Sequence, residues 1–176
     1  SVESQTVQKL PQIKLQNGNG ARKKAPPVHV IDDSKAGWCE SLTKGLEAWF
    51  AGKDIAFDYS KLRAAGARLK TMGGRSSGPE PLRALLDFAR RKIVSKQGKR
   101  LSNLDVHDII CKIGEIVVAG GVRRSALISL SDLDDKEMQE AKNGQFYLTH
   151  PERSMANNSA IYNEKPALQD FLDEWL

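Results

Sequence analysis

An alternation of short apolar runs with longer helical stripes constrains the fold of this chain more than any other feature. In five segments apolar residues recur every three to four positions, which predicts amphipathic helices. These helices are expected to start near Ser34, Pro79, Ser102, Asp134 and Pro166. Short apolar runs before and between the helices predict strands at residues 28–31, 55–59, 126–130 and 159–162. This order is typical of α/β folds with a largely parallel sheet and right-handed crossovers.

Several residues indicate where these elements begin and end. Asp105 follows Ser102 by three positions, a spacing that resembles a capping box, and Pro79 suits the first turn of a helix. We expect the helix that begins at Ser102 to continue to Gly120-Gly121. Residues 143–157 are expected to form a loop, and residues 28–31 a buried strand.

The charge of the chain is unevenly distributed. Its 176 residues carry a formal net charge of +5, but residues 1–100 hold 20 basic and 9 acidic side chains, against 7 and 13 in residues 101–176. A basic half favours anionic partners such as nucleotides or nucleic acid, although on charge alone a solvated surface is the better explanation. Aromatic residues make up only 6% of the chain and do not alternate with the basic ones, which argues against a stacking platform for single-stranded nucleic acid.

Composition also excludes several classes of protein. No stretch approaches the roughly 20 apolar residues of a membrane span, and no leader opens the chain, so we expect a soluble, cytoplasmic protein with no membrane partner. Two cysteines, Cys39 and Cys111, are too few for a secreted disulfide scaffold. Both are expected to be buried or partly buried thiols. The three histidines show no metal-ligand spacing, so no metal site is predicted.

Polar side chains follow the first predicted strand directly. In parallel α/β sheets, ligands bind outside the carboxyl ends of the strands, which is where Asp32-Asp33-Ser34 is expected. A carboxylate at that position can accept hydrogen bonds from the hydroxyls of a ribose. Capping of the following helix explains the same residues and is the simpler interpretation.

A long loop from Lys61 to Gly78 is rich in cations, glycines and hydroxyl side chains. Glycines let backbone N–H groups approach phosphate closely, and arginine and lysine neutralise it. The spacing matches no Walker A motif, but loops beyond about 15 residues are usually functional in compact domains. We therefore expect phosphate contacts from Arg75, Ser76 and Ser77.

Two weaker signals lie further along the chain. Arg123 and Arg124 follow two glycines at a helix-to-strand turn and offer further phosphate contacts, although glycine is common at helix ends. Asn157-Asn158-Ser159 offers amides and a hydroxyl suited to sugar or phosphate, although an Asx turn has the same composition. No Ser-His-Asp constellation is evident, so the chain's own residues indicate a nucleotide-binding scaffold without a visible catalytic centre.

Five segments in order resemble the adenosylcobalamin-dependent (class II) ribonucleotide reductases, particularly the monomeric ribonucleoside-triphosphate reductase type. The segments are VIDDSKAGW at 30–38, FDYSKLR at 57–63, GGRSSGPEPL at 73–82, VVAGGVRRSA at 117–126 and ANNS at 156–159. Together they are spread over residues 30–159 of the 176.

The resemblance implies a ten-stranded α/β barrel built from two parallel five-stranded halves. Residues 28–176 would supply most of the first half, truncated at both ends, and residues 1–27 a partial strand with a flexible basic linker or insertion. It also implies cobalamin-initiated thiyl-radical reduction of a ribonucleotide, with a thioredoxin-like reductant. The family's catalytic cysteines are expected outside this segment, so neither Cys39 nor Cys111 is assigned a catalytic role and the isolated segment is expected to be inactive.

The resemblance further implies that the segment carries the allosteric specificity site for a deoxynucleoside triphosphate effector. The effector residues carry over to Asp33, Ser34, Arg63 and Lys70. A loop from about Thr149 to Asn158 would face the substrate, with Arg153, Asn157 and Asn158, followed by Ser159. The alternatives are a non-catalytic nucleotide-binding regulatory module or, less in keeping with the sequence, a basic nucleic-acid-binding protein.

Overall fold

The computed structural model describes residues 3–16, 25–69, 74–119, 122–123, 125–162 and 164–175. The helices are α1 (Ser4–Gln8), α2 (Lys35–Phe50), α3 (Glu80–Ser95), α4 (Asn103–Ile116), α5 (Lys136–Gln139), α6 (Phe146–Thr149) and α7 (Leu168–Trp175). The strands are β1 (Val28–Val30), β2 (Ala56–Asp58), β3 (Val118–Ala119), β4 (Val122–Arg123), β5 (Leu127–Ser131) and β6 (Ala156–Ala160). Two 3-10 helices span Glu140–Lys142 and Pro151–Met155. None of the described helices is long and apolar enough to cross a membrane.

From β1 onward the predicted strands and helices occur in the expected order, but the hairpin β3–β4 and helix α6 were not predicted, and helix α1 lies where a partial strand was expected in residues 1–27. Strands that helices connect pair in parallel. β1 pairs with β2 in parallel, with Val28 opposite Ala56, and β5 pairs with β6 in parallel, with Leu127 opposite Ala156. β3 and β4 form a short antiparallel hairpin between α4 and β5. Within the described residues these are three separate two-stranded sheets and not the single, largely parallel sheet that the sequence analysis expected.

The core lies where α2, α3 and α4 pack together beside the β1–β2 pair. The helical stripe predicted after Pro79 becomes the buried face of α3 because its apolar residues fall on one side of the helix. Trp49 on α2 and Ile31, directly after β1, close this core from the other side. Its fully buried residues include Ile13, Ile31, Trp49, Leu82, Leu85, Leu86, Ala89 and Ile93.

The capping signals in the sequence are confirmed. The Ser102 hydroxyl accepts a hydrogen bond from the backbone N–H of Asp105 at 3.3 Å, and the Asp105 carboxylate accepts one from the backbone N–H of Ser102 at 3.0 Å. The pair satisfies two backbone donors that the first turn of α4 leaves unpaired. Pro79 immediately precedes the first residue of α3, as expected of a residue without a backbone N–H.

Three expectations about elements are wrong. α4 ends at Ile116 instead of running to Gly120-Gly121, and the chain enters β3 two residues later. Residues 143–157 are not a loop but hold α6, a 3-10 helix and the start of β6, so the last strand begins at Ala156 rather than Ser159. Packing of the 3-10 helix against α4 orders this segment. Such contacts between residues far apart in the chain leave no periodic apolar pattern in the sequence.

The strand at residues 28–31 is also not buried as expected. Val28 is 64% exposed and Val30 is 44% exposed, whereas Ile31 is fully buried. The two valines lie on one face of β1, because side chains alternate along a strand, and in the described residues that face is uncovered. An apolar run therefore identified the strand without identifying which face has a partner.

Candidate functional site

Asp33 and Arg63, 30 positions apart in the sequence, are in contact. Arg63 donates a hydrogen bond from Nε to Oδ2 of Asp33 at 2.7 Å. They meet because β1 and β2 are parallel neighbours, so the segments that leave their carboxyl ends lie at the same edge of the sheet. The side chains are 34% and 26% exposed, respectively, so both remain accessible to a ligand. Two of the predicted effector residues thus form one polar group.

Ser34 caps the helix that follows. Its hydroxyl accepts a hydrogen bond from the backbone N–H of Gly37 at 3.0 Å, as the capping interpretation of the sequence expected. Gly37 is required here because a Cβ atom would lie 2.3 Å from the carbonyl oxygen of Asp32. This close approach of the first turn of α2 to the strand end holds Asp33 in place beside it.

The cationic loop after β2 folds back on itself. Arg68 and Arg75 form an antiparallel bridge, with backbone hydrogen bonds from Leu69 to Gly74 at 3.1 Å and from Ser76 to Ala67 at 2.7 Å. Gly74, with φ of +90°, adopts a conformation that favours glycine. Lys70, the fourth predicted effector residue, lies outside the described residues.

Two of the three predicted phosphate contacts in this loop have hydrogen bonds within the loop. Arg75 donates from Nη1 to the carbonyl oxygen of Gly66 at 2.9 Å, and the Ser76 hydroxyl accepts from the backbone N–H of Gly78 at 3.0 Å. Ser77 is exposed. Arg75 and Ser76 therefore stabilise the loop. To contact phosphate, either side chain would have to give up its hydrogen bond within the loop or form another one beside it.

Arg153 is not on an open loop, as the sequence prediction had it, but buried in an ionic cluster. It donates from Nε and Nη2 to the two carboxylate oxygens of Asp108 at 2.7 and 2.9 Å, and from Nη1 to the carbonyl oxygen of Ala141 at 2.7 Å. Lys92 of α3 donates to the same carboxylate at 2.8 Å. Because only 7% of Arg153 is exposed, its guanidinium faces the protein and not a ligand.

Asp108 is the residue of this cluster that the sequence analysis missed. Burial alone would raise the pKa of its carboxyl group, but hydrogen bonds from His107, Arg153 and Lys92 outweigh burial and hold the pKa well below its usual range. Its only sequence signal is an acidic residue at a position on α4 that the helical period places toward the core. Finding its partner Arg153, 45 positions away, required the tertiary structure.

Cys111 lies one turn further along α4, and its thiol is expected to be unreactive. Its sulfur lies 3.6 Å from Nε2 of His107, and burial raises the pKa of the thiol to about 11. The prediction of a buried thiol is confirmed for Cys111 and wrong for Cys39, which is exposed on α2.

The polar residues of β6 point to two different faces. Asn157 and Ser159 are exposed, on the same face as Ile128 and Leu130 of β5, which are 68% and 54% exposed. The amide of Asn158 is on the other face, where its nitrogen and oxygen are buried and have no hydrogen-bond partner among the residues that the structure describes. The three residues therefore do not act together as the sequence prediction assumed, because side chains alternate along a strand.

The structure gives little information on the remaining predicted phosphate contacts. Arg123 lies in β4, where the structure describes the backbone only, and Arg124 lies outside the described residues. In the part of the chain that is described, Asp108, His150 and Glu152 form one group with potential metal-ligand atoms within 4.8 Å of one another. Both oxygens of Asp108 already accept hydrogen bonds from cationic side chains, so a divalent ion there would meet the positive charge of those same groups.

Comparison with known proteins places this arrangement in context. The chain is 42% identical over 137 residues to an adenosylcobalamin-dependent ribonucleoside-triphosphate reductase of Euglena gracilis, an alignment that covers 76% of this chain and 18% of the relative. A protein of the same name from Lacticaseibacillus paracasei is 34% identical over 140 residues, with 76% and 19% covered. The chain is homologous to the adenosylcobalamin-dependent ribonucleoside-triphosphate reductases. It spans about a fifth of the length of these relatives.

The solved structures agree with this relationship. The crystal structure of a B12-dependent, class II ribonucleotide reductase superposes with a TM-score of 0.75 at 25% identity, covering 89% of this chain and 25% of that one. The mixed α/β architecture with parallel strands is therefore that of a class II reductase segment. No family model matches the chain. The expected resemblance to this family is confirmed, while the roles of individual residues remain predictions.

Proposed function

We propose that this chain is the segment of a ribonucleotide reductase that binds a deoxynucleoside triphosphate effector. The contact between Asp33 and Arg63 carries the proposal. It places a carboxylate that can accept a hydrogen bond from a sugar hydroxyl beside a guanidinium that can donate hydrogen bonds to phosphate, at the carboxyl edge of a parallel strand pair. Lys70, Ser77, Arg123 and Arg124 are proposed as further phosphate contacts. The segment would supply most of the first half of a ten-stranded α/β barrel.

In the whole enzyme, the exposed face of β5 and β6 would border the substrate. Asn157 and Ser159 present an amide and a hydroxyl on that face, next to two exposed apolar side chains of β5. Arg153 and Asn158 are not proposed to touch the substrate, because the guanidinium and the amide both lie on the protein side. The whole enzyme would reduce a ribonucleoside triphosphate with a thioredoxin-like reductant.

Adenosylcobalamin is named for the relatives and, when bound, supplies a carbon-centred radical by cleavage of its cobalt–carbon bond. Among the described residues, the three histidines contact side chains of their own chain: His29 contacts Lys44 at 3.3 Å, His107 contacts Cys111, and His150 contacts Glu152 at 3.2 Å. We assign none of them to that group, and we propose that the rest of the enzyme holds the cofactor and the catalytic cysteines.

A titration of the chain with each of the four deoxynucleoside triphosphates tests the effector site. We expect saturable binding that Asp33→Ala and Arg63→Ala each weaken by about tenfold or more, as loss of a charge-assisted hydrogen bond implies. Arg90 and Asp54 form a similarly exposed ion pair, with a contact of 2.7 Å, and their alanine variants are the matched controls. Binding that is unaffected by the first two variants, or lost equally in the controls, contradicts the proposal.

The enzyme assignment has its own test. A chain extended on both sides to the length of the relatives is expected to reduce a ribonucleoside triphosphate when adenosylcobalamin and a dithiol reductant are present. An extended chain that binds deoxynucleoside triphosphates and has no such activity would instead be a non-catalytic regulatory module.

A further inference from the structure

We propose that Asp33 and Arg63 bind nucleotide as one preformed unit, in which Asp33 orients Arg63 toward phosphate and also accepts a sugar hydroxyl. This inference rests on the proposed effector site and adds a positioning role for Asp33. It treats the ion pair as retained in the complex and not as a contact that the ligand must break.

The geometry of the pair leaves both partners able to bind a ligand. Arg63 uses Nε for its bond of 2.7 Å to Oδ2 of Asp33, and Nη2 lies 3.5 Å from the backbone carbonyl oxygen of the same residue. Among the described residues, Nη1 of Arg63 and Oδ1 of Asp33 have no hydrogen-bond partner. Because a guanidinium carries five N–H donors in a rigid plane, it can bond to Asp33 along one edge and to a phosphate along another.

The backbone on both sides of the pair is held independently of any ligand. The backbone N–H of Ser34 donates to the carbonyl oxygen of Asp32 at 2.8 Å, which fixes the turn that carries Asp33. The backbone N–H of Leu62 donates to the carbonyl oxygen of Tyr59 at 3.0 Å, and Asp58 accepts from the N–H of Ser60 at 2.8 Å. Arg63 therefore starts from an ordered turn, and the carboxylate of Asp33 limits its rotamers before a nucleotide arrives.

The opposite role for the pair makes a different prediction. If the nucleotide had to separate Asp33 from Arg63, the ion pair would compete with the ligand, and removing Arg63 would free the carboxylate for a sugar hydroxyl. An exposed ion pair changes an equilibrium by no more than about fivefold, so this gain would be small but measurable. A nucleoside without phosphate isolates the effect, since it bonds to the carboxylate and has no group for the guanidinium.

A double-mutant cycle with two probes separates these roles. The tightest-binding deoxynucleoside triphosphate and its matched deoxynucleoside are titrated into the unchanged chain, Asp33→Asn, Arg63→Gln and the double variant. Asp54→Asn and Arg90→Gln are the controls, and circular dichroism confirms that each variant keeps its helices.

We expect Arg63→Gln to lower the affinity for the triphosphate by about tenfold or more and to change the affinity for the nucleoside by less than twofold. Asp33→Asn should weaken both probes, and the triphosphate by the larger factor, because Arg63 loses its orientation. The double variant should then lose less affinity than the product of the two single losses.

Independent losses that multiply in the double variant would overturn the proposal, and so would tighter nucleoside binding by Arg63→Gln. Both results leave the effector site itself intact. A folded, unchanged chain that binds none of the triphosphates, or binding indifferent to both substitutions, would instead overturn the proposed site and this inference with it.

Discussion

At the scale of single residues, burial separates groups that look alike in the sequence. Cys39 and Cys111 both lie on helices, yet Cys39 is exposed and Cys111 is buried, with 1% of its surface exposed. Likewise Asp33 and Asp108 both pair with an arginine, but the first pair is accessible to solvent and the second is buried. Accessibility makes Asp33 a candidate for ligand binding and Asp108 a structural residue.

The two cysteines should differ sharply in reactivity. At pH 8, iodoacetamide is expected to modify Cys39 rapidly and Cys111 only slowly, because the Cys111 thiol is buried and has a pKa of about 11. Mass spectrometry of peptides from timed samples measures both rates in one experiment. Urea-unfolded protein is the control in which both cysteines should react. Equal rates in the folded chain would contradict the structure.

Removal of the Asp108 carboxylate should be costly. Asp108→Asn leaves the Arg153 guanidinium buried without its counter-charge and replaces one of its two acceptors with a donor, so the free energy of unfolding should fall by about 3–5 kcal/mol, as is usual when one charge of a buried ion pair is removed. Asp54→Asn, which opens a half-exposed pair with Arg90, should cost less than about 1 kcal/mol. Urea denaturation measures both, and similar losses would argue against a buried cluster.

The same carboxylate makes stability depend on pH. The folded-state pKa of Asp108 lies below its unfolded value of about 3.9, so its contribution is fully present above that value and is lost as pH falls through the folded pKa. Between pH 5 and pH 2 the unchanged chain should therefore lose more stability than Asp108→Asn does. Melting temperatures across this range test the expectation, and parallel curves for the two proteins would contradict it.

At the scale of elements, capping hydrogen bonds explain where α2 and α4 start. Tertiary contacts explain the segments whose apolar residues show no helical or strand period. α2 and α4 begin at serines whose hydroxyls accept backbone hydrogen bonds. By contrast, the 3-10 helix Pro151–Met155 has a proline at its start but is too short to show an apolar period, and the bonds of Arg153 hold it to α4. Local chemistry was therefore sufficient for the first class of element and insufficient for the second.

The cap of α4 is expected to contribute measurably to stability. Ser102→Ala removes the acceptor for the N–H of Asp105 and should lower the free energy of unfolding by about 1 kcal/mol. Ser95→Ala, at the exposed C-terminal end of α3, removes a hydroxyl of the same kind and should change it by less than about 0.5 kcal/mol. Thermal melts of both variants test the difference, and a loss confined to Ser95→Ala would reverse the assignment.

At the scale of the whole molecule, the three two-stranded sheets leave apolar faces uncovered in the described residues. Val28 and Val30 on β1, and Ile128 and Leu130 on β5, are at least 44% exposed. The matching segment makes up 18% of the Euglena gracilis relative and a quarter of the superposed class II reductase. If the chain is a segment of a longer reductase, as proposed, the exposed face of β1 would pack against the rest of the enzyme, and the exposed face of β5 would border the substrate.

The sequence by itself determined the four strands and five helices that were predicted from β1 onward, the positions of the caps and the family. The resemblance to the reductases also implied that Asp33 and Arg63 belong to one site, and the parallel pairing of β1 and β2 explains why the two residues meet. The elements and caps follow from periodicity and local hydrogen bonding, and the family follows from the residues of the matching segments; all of these are properties of the linear sequence.

Only the tertiary structure decided which polar residues face solvent and which face the protein. Arg153 and Asn158 were predicted beside Asn157 as substrate contacts, yet the guanidinium bonds to Asp108 and the amide is buried on the opposite face of β6. The physical reason is that burial depends on neighbours distant in sequence. Asp108 is 45 positions from Arg153, and no local pattern in the sequence specifies that contact.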